Sequence, residues 1–223
     1  MAAGSLDLPK DDRFDGLHLG SSGEHLALVG QNQHYVTLGD RNPLAVTSGA
    51  AASLAFAPTN IGPIQTVVNL VSAKAGQPLA TTTSLRIDGQ LIDTRTIDNT
   101  LYVVTSWFPR FDGVFPATGA SVTQRKEAVA RVTSPQVLPT VTITGATGQP
   151  VTQALMADTD CQLQAANASV AVQLTTITAI DLASPNAQRS SRCLLGGVNA
   201  IYMSAKNLYL ATSRYSVVPS TKL

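Results

Sequence analysis

The chain has 223 residues and is 44% hydrophobic, enough for one large or two small domains with a buried core. Charged residues make up 13%, well below the roughly 25% of an average soluble domain, while Thr, Ala, Ser and Val are abundant. With 15 Lys and Arg against 14 Asp and Glu, the net charge of +1 gives no long-range field, which removes the usual warrant for binding nucleic acid, anionic lipid or a polyanionic substrate.

In chain order, residues 1–23 read as a flexible N-terminal segment. Lys10, Asp11, Asp12, Arg13 and Asp15 break any apolar run, so neither a signal peptide nor a membrane anchor is expected, and no later stretch is long and apolar enough to span a bilayer. Short strands follow at His25 to Gly30, His34 to Leu38 and Leu44 to Thr47, a meander with tight turns. The next group runs from Thr66 to Val71, Ala80 to Ile87, Leu91 to Ile97 and Leu101 to Trp107. With Asp88-Gly89 as a hairpin turn, these four antiparallel strands make one blade's worth of sheet. Val122 to Val132 is the only stretch open to a reading as a short helix, with a loop or a strand as the alternatives, and Thr140 to Thr144 is a further strand. The last group repeats the plan at Thr175 to Leu182, Ser190 to Leu195, Ala200 to Ser204 and Leu208 to Ser213.

The repeat is explicit in residues. Asn99-Thr100-Leu101-Tyr102-Val103-Val104-Thr105-Ser106 returns as Lys206-Asn207-Leu208-Tyr209-Leu210-Ala211-Thr212-Ser213. Repeats of hairpin size signify a propeller or a solenoid. Tyr102 aligns with Tyr209 at a separation of 107 and Asn69 with Asp181 at 112, so the second unit is five residues shorter.

These residues, with Ile87-Asp88-Gly89-Gln90-Leu91-Ile92-Asp93-Thr94-Arg95 and Ile180-Asp181-Leu182 ahead of Gly196-Gly197, resemble the secreted bacterial and archaeal β-propeller family, as do Leu138-Pro139-Thr140 and Asp158-Thr159-Asp160-Cys161. The resemblance runs from about Thr66 to Tyr215 and more weakly back to Glu24. Family members are longer and exported, so the resemblance implies a secreted, periplasmic or cell-surface setting and a partial copy of the ring. The expected fold is all-β: a partial, open β-propeller of about three to four antiparallel blades over residues 24–223, with a long loop insertion at about 108–172. Open edges of such a ring favour oligomers.

Candidate chemistry is sparse. Asp93 and Arg95 alternate on a strand that is innermost in a propeller, where they either line the channel mouth as a ligand site or form a structural ion pair or hydrogen bonds to neighbouring blade backbone. Trp107, Phe108, Phe111 and Phe115, interleaved with Arg110, form either a stacking platform for a sugar or peptide or an anchor for the long loop. Asp158 and Asp160 offer only two carboxylates to a cation, and His18, His25 and His34 lack zinc-ligand spacing, so neither a metal nor another cofactor is expected. There is no Gly-x-Ser-x-Gly elbow, and Gly20-Ser21-Ser22-Gly23 lacks the Lys-Ser/Thr ending of a phosphate loop. Asn167-Ala168-Ser169 has the form of a glycosylation acceptor. Cys161 and Cys193 are either a disulfide or two buried thiols.

The leading expectation is a non-enzymatic scaffold presenting loops to a protein or surface ligand. The alternatives are a hydrolase-like enzyme acting at the channel mouth through Asp93, Arg95 and Asp158, or a structural piece completing a ring with another chain.

Overall fold

The computed structural model describes residues 4–32, 64–109, 121–146, 148–162, 173–184, 186–204 and 206–212. The expected strands at His34 to Leu38 and Leu44 to Thr47 lie outside them. Among the described residues there are thirteen strands: β1 (Asp12–Leu19), β2 (His25–Asn32), β3 (Gln65–Ser72), β4 (Ala80–Asp88), β5 (Gln90–Ile97), β6 (Thr100–Trp107), β7 (Thr140–Gly145), β8 (Pro150–Ala154), β9 (Cys161–Gln162), β10 (Leu174–Asp181), β11 (Arg189–Leu195), β12 (Ala200–Met203) and β13 (Leu208–Ala211). Two short helices, α1 (Val122–Ala130) and α2 (Ser134–Val137), stand between β6 and β7. No helix among the described residues is long and apolar enough to cross a membrane.

The protein is mostly β, in three sheets: a first of six strands ordered β1-β2-β3-β4-β7-β8, a second of five ordered β5-β6-β10-β11-β9, and a third made of β12-β13. Strands β3, β6 and β10 sit inside their sheets and carry near-continuous apolar and Thr runs, as strands covered on both faces do. Val68, Leu85, Ile87, Leu101, Val103, Val141 and Ile180 are fully or almost fully buried in one shared cluster, so the first and second sheets pack face to face around a common core. Burying each such side chain contributes about 1.5–3 kcal/mol.

Three expectations change. The segment 1–23 is not wholly flexible: Asp12–Leu19 forms β1, pairing antiparallel with β2, and Asp12 accepts two hydrogen bonds from the Arg86 guanidinium of β4 at 3.0 and 2.8 Å. The four strands from β3 to β6 do not make one blade, because Gly89 carries the chain from the first sheet to the second. The 108–172 stretch is not a loop insertion throughout, since β7 pairs with β4, β8 with β7 and β9 with β11.

Gly89 shows why the chain crosses. Its φ of +119° lies where L side chains rarely go, and a Cβ there would sit 2.9 Å from the Ser106 carbonyl oxygen. Its own carbonyl accepts the Thr66 hydroxyl at 2.9 Å. The device recurs at Gly196, φ +118°, whose carbonyl accepts the Thr175 hydroxyl at 2.8 Å. Gly89 and Gly196 are 107 apart, as are Tyr102 and Tyr209, while Thr66 and Thr175 are 109 apart. The second unit is therefore two residues shorter by this measure (109 − 107), not five, because Asn69 corresponds to Thr178 rather than to Asp181.

Candidate functional site

Each sheet begins with a hairpin whose first strand lies at an edge: β1-β2, β5-β6 and β12-β13. Their registers superpose residue for residue. His18 faces Ala27, Arg95 faces Tyr102 and Tyr202 faces Tyr209, and one step on Leu19, Thr96 and Met203 face Leu26, Leu101 and Leu208. The bulges match as well: the register slips between Phe14 and Gly16 in β1 and between Leu91 and Asp93 in β5. Among the described residues the hairpin repeat thus has three copies, the first hidden in a segment read as flexible.

The shared position joins one sheet to the next. His18 Nε2 lies 2.8 Å from Thr94 Oγ1 and its Nδ1 lies 3.0 Å from Thr96 Oγ1, so both ring nitrogens of this β1 residue are satisfied by β5. Partial burial lowers the His18 pKa below its ordinary value, outweighing the opposing attraction of Asp93. One sheet further on, the Arg95 guanidinium donates to the Met203 backbone carbonyl of β12. Thr96 and Met203 occupy equivalent positions, so the same link is made twice with different chemistry.

The turns add a second tie. Asn99 Oδ1, beside the β5-β6 turn, accepts from the Ser21 backbone N–H at 2.9 Å and from its hydroxyl at 3.0 Å, and the Asn99 carbonyl accepts from Leu182 N–H at 2.8 Å. A family model described as a beta propeller domain matches residues 3–222. The chain belongs to that family. No curated protein and no solved structure matches it.

In propeller terms the three sheets are successive blades, with β1, β5 and β12 as their inner strands. Asp93 is exposed on β5 and its carboxylate accepts only its neighbour Thr94 N–H, at 2.8 Å, among the hydrogen bonds of the described residues. Asp93 and Arg95 are therefore near each other in sequence but differently engaged, since Arg95 reaches the third blade. Trp107 is half-buried against the core and donates from Nε1 to the Val137 carbonyl at 3.0 Å, which fixes the base of the α1-α2 segment. Phe108 stays half-exposed, while Arg110, Phe111, Phe115 and Asn167 lie outside the described residues.

Cys161 and Cys193 are register partners on parallel strands and form a disulfide, with Cα atoms 4.4 Å apart. Asp160 pairs with Arg192 of β11 at 3.1 Å and so fastens this edge, while Asp158 accepts the N–H of its neighbour Thr159 at 2.9 Å. No group of three or more His, Cys, Asp or Glu among the described residues is arranged to hold a metal. Sequence reasoning missed Asp88 as a structural centre. Its carboxylate accepts Gln65 Nε2 at 3.0 Å, Thr140 N–H at 2.9 Å and Thr140 Oγ1 at 2.6 Å. Nothing local distinguishes such an Asp from the first residue of an Asp-Gly hairpin.

Proposed function

We propose that this propeller is a non-enzymatic scaffold that presents the α1-α2 segment, Ser121 to Val137, to a protein or surface ligand. The observation that carries the reading is the contrast between how firmly this segment is held and how little of it is packed. Ser121 and Gln124 cap α1 reciprocally, and at the start of α2 the Gln136 side-chain oxygen accepts from both the N–H and the hydroxyl of Thr133. Trp107 holds the far end, yet α1 buries no residue, and Val122, Arg125, Lys126 and Val129 lie together along one open face of it. A preorganised, uncovered helix costs little ordering entropy on binding. The polar side chains of the inner strands meanwhile join blades, the use expected of a framework. The Cys161–Cys193 bridge favours an oxidising, extracytoplasmic setting.

The test is binding of the labelled chain to intact cells and to immobilised envelope proteins and polysaccharides. Saturable binding that survives Asp93→Ala but falls about tenfold in Val122→Ser/Val129→Ser supports the scaffold. Turnover of a glycan or ester substrate that disappears in Asp93→Ala, with the circular dichroism unchanged, would replace it with an enzyme acting at the channel mouth.

A further inference from the structure

We propose that β8, the outer edge of the first blade, is a binding site for an extended strand of a partner protein, an uncharged segment that alternates hydroxyl with β-branched apolar residues. The direction in which the β8 backbone faces decides this. β8 ends the six-stranded sheet and pairs antiparallel with β7, from Thr140↔Ala154 to Thr144↔Pro150, without a register slip. Just past that ladder the Leu155 N–H donates to the Pro139 carbonyl at 3.1 Å. Hydrogen-bonded and non-hydrogen-bonded pairs alternate along an antiparallel ladder, so Gln153 and Val151 bond β7 as Leu155 bonds Pro139, and Ala154, Thr152 and Pro150 do not. Thr140 agrees from the other strand, because its N–H turns away from β8 to the Asp88 carboxylate at 2.9 Å.

Thr152 and Ala154 therefore each direct an N–H and a carbonyl outward, and Pro150 a carbonyl alone, with no partner among the described residues. Every residue of β8 is exposed. A peptide strand offers acceptors and donors at this alternating period, whereas a sugar or a lipid does not. The side chains set its composition. Val151 stands opposite Ile143 on the face of β7 that carries buried Val141, and Thr152 stands opposite Thr142 on the other face, their hydroxyls 2.7 Å apart. An incoming strand extends both rows by placing β-branched apolar residues beside Val151 and hydroxyls beside Thr152.

The other edges of the first and second sheets are defended. β1 carries Asp12, Arg13 and Asp15 with a register slip between Phe14 and Gly16, and β5 carries Asp93 and Arg95 with a slip between Leu91 and Asp93. β9 is two residues long and has the Asp160–Arg192 pair beside it. Charges, bulges and shortness are the devices that keep an edge from pairing. β8 uses none of these: no charged residue occurs from Val132 to Ala157, and Pro150 guards the first position alone. Nothing on β7 or β8 would pair a charge carried by the guest, so the guest is uncharged.

The probe is a labelled peptide copying Thr140 to Thr144, Thr-Val-Thr-Ile-Thr, capped at both ends and given a lysine tail beyond the pairing residues for solubility; β8 already accepts this sequence antiparallel on its other side. Fluorescence anisotropy against the full chain is expected to show saturable binding below about 1 mM. Thr152→Pro, which removes an outward N–H and no ladder bond, should weaken that binding about tenfold or more and leave the urea midpoint of wild type. Gln153→Pro, which removes a bond to β7, should lower the midpoint. N-methylation of the probe's central threonine should abolish binding, while N-methylation of its valine or isoleucine, whose N–H faces away from β8, should not. An absence of saturation at about 1 mM, an equal response to every N-methyl position, or a midpoint lowered as much by Thr152→Pro as by Gln153→Pro would overturn the proposal. So would a dimer of the chain that Thr152→Pro dissociates while the probe fails to bind, since the edge would then belong to a second copy.

Discussion

Beyond β4, the first blade adds β7, antiparallel over five residue pairs from Thr83↔Gly145 to Ile87↔Val141, and then β8. Beyond β11, the second blade adds only β9, parallel over two pairs, Cys193↔Cys161 and Leu194↔Gln162. Inside these edges the blades follow one plan, with the same hairpin register, the same bulge and the same threonine-to-glycine bond at the end of their second hairpin or its lead-in. The inner halves are thus specified by a repeated pattern and the outer halves by individual fastenings. Asp88 fastens β7 with a carboxylate, and a disulfide fastens β9 where two residue pairs of ladder cannot hold a strand alone.

If the inner plan is common, breaking it in one blade should be more costly than releasing either outer edge. Gly30 faces Phe14 next to the β1 bulge, and a Cβ there would lie 1.9 Å from the Arg13 carbonyl oxygen and 2.7 Å from two further backbone atoms. No flexible side chain is available to move aside, so β1 and β2 must separate. Gly30→Ala is expected to destabilise by more than about 4 kcal/mol, read from the urea midpoint, or to prevent folding.

The second effect separates the two outer edges. The Cys161–Cys193 bridge closes a loop with a sequence separation of 32, and its loss should cost about 3.7 kcal/mol on chain-entropy grounds. Hydrogen exchange should speed at β9 and β11 on reduction, or in Cys161→Ser/Cys193→Ser, while β7 and β8 keep their protection. Equal loss at both edges would show that they form one cooperative unit.

Asp88→Ala makes the converse test. It leaves the Thr140 N–H and the Gln65 amide without their acceptor in a site where Asp88 is 9% exposed, at an expected cost of about 2 kcal/mol. Here β7 and β8 should lose protection first and β9 should not respond.

The same division explains what could be read from the sequence. The Leu101-Tyr102 and Leu208-Tyr209 copies were legible because aromatic and aliphatic residues alternate after a polar turn, whereas α1 stayed open between helix, loop and strand because it buries no residue and so carries no apolar stripe to fix the period. Strand β1 was obscured by Asp12, Arg13 and Asp15, yet these are ordinary for an inner edge strand, and its alternating burial follows Phe14, Gly16 and His18 facing inward. The crossing at Gly89 was read as a hairpin because a tight turn and a change of sheet both call for a glycine at positive φ; only the long-range bond from Thr66 tells them apart. The connecting role of Arg95 was one of two readings open in the sequence, whereas that of His18 needed the third hairpin copy to become visible.

The smallest expected effect distinguishes the two blade junctions. In the unfolded chain His18 titrates near its ordinary value of 6.5, and partial burial between β1 and β5 lowers it in the folded protein. Below 6.5 the unfolded chain therefore binds the proton more readily than the folded one. The stability this junction contributes is complete above that pH and is lost as pH falls through it toward the lower folded value. The junction made by Arg95 has no such dependence in this range, since guanidinium stays charged and the Met203 carbonyl does not titrate. Urea midpoints measured from about pH 8 to about pH 5 should fall less steeply in His18→Gln than in wild type, because Gln can still meet the Thr94 and Thr96 hydroxyls without taking up a proton. Arg95→Gln should lower the midpoint by a similar amount at every pH, leaving the slope of wild type. Identical slopes in wild type and His18→Gln would mean that the first junction is as indifferent to pH as the second, and that the hydroxyls accept from imidazolium as readily as they pair with imidazole.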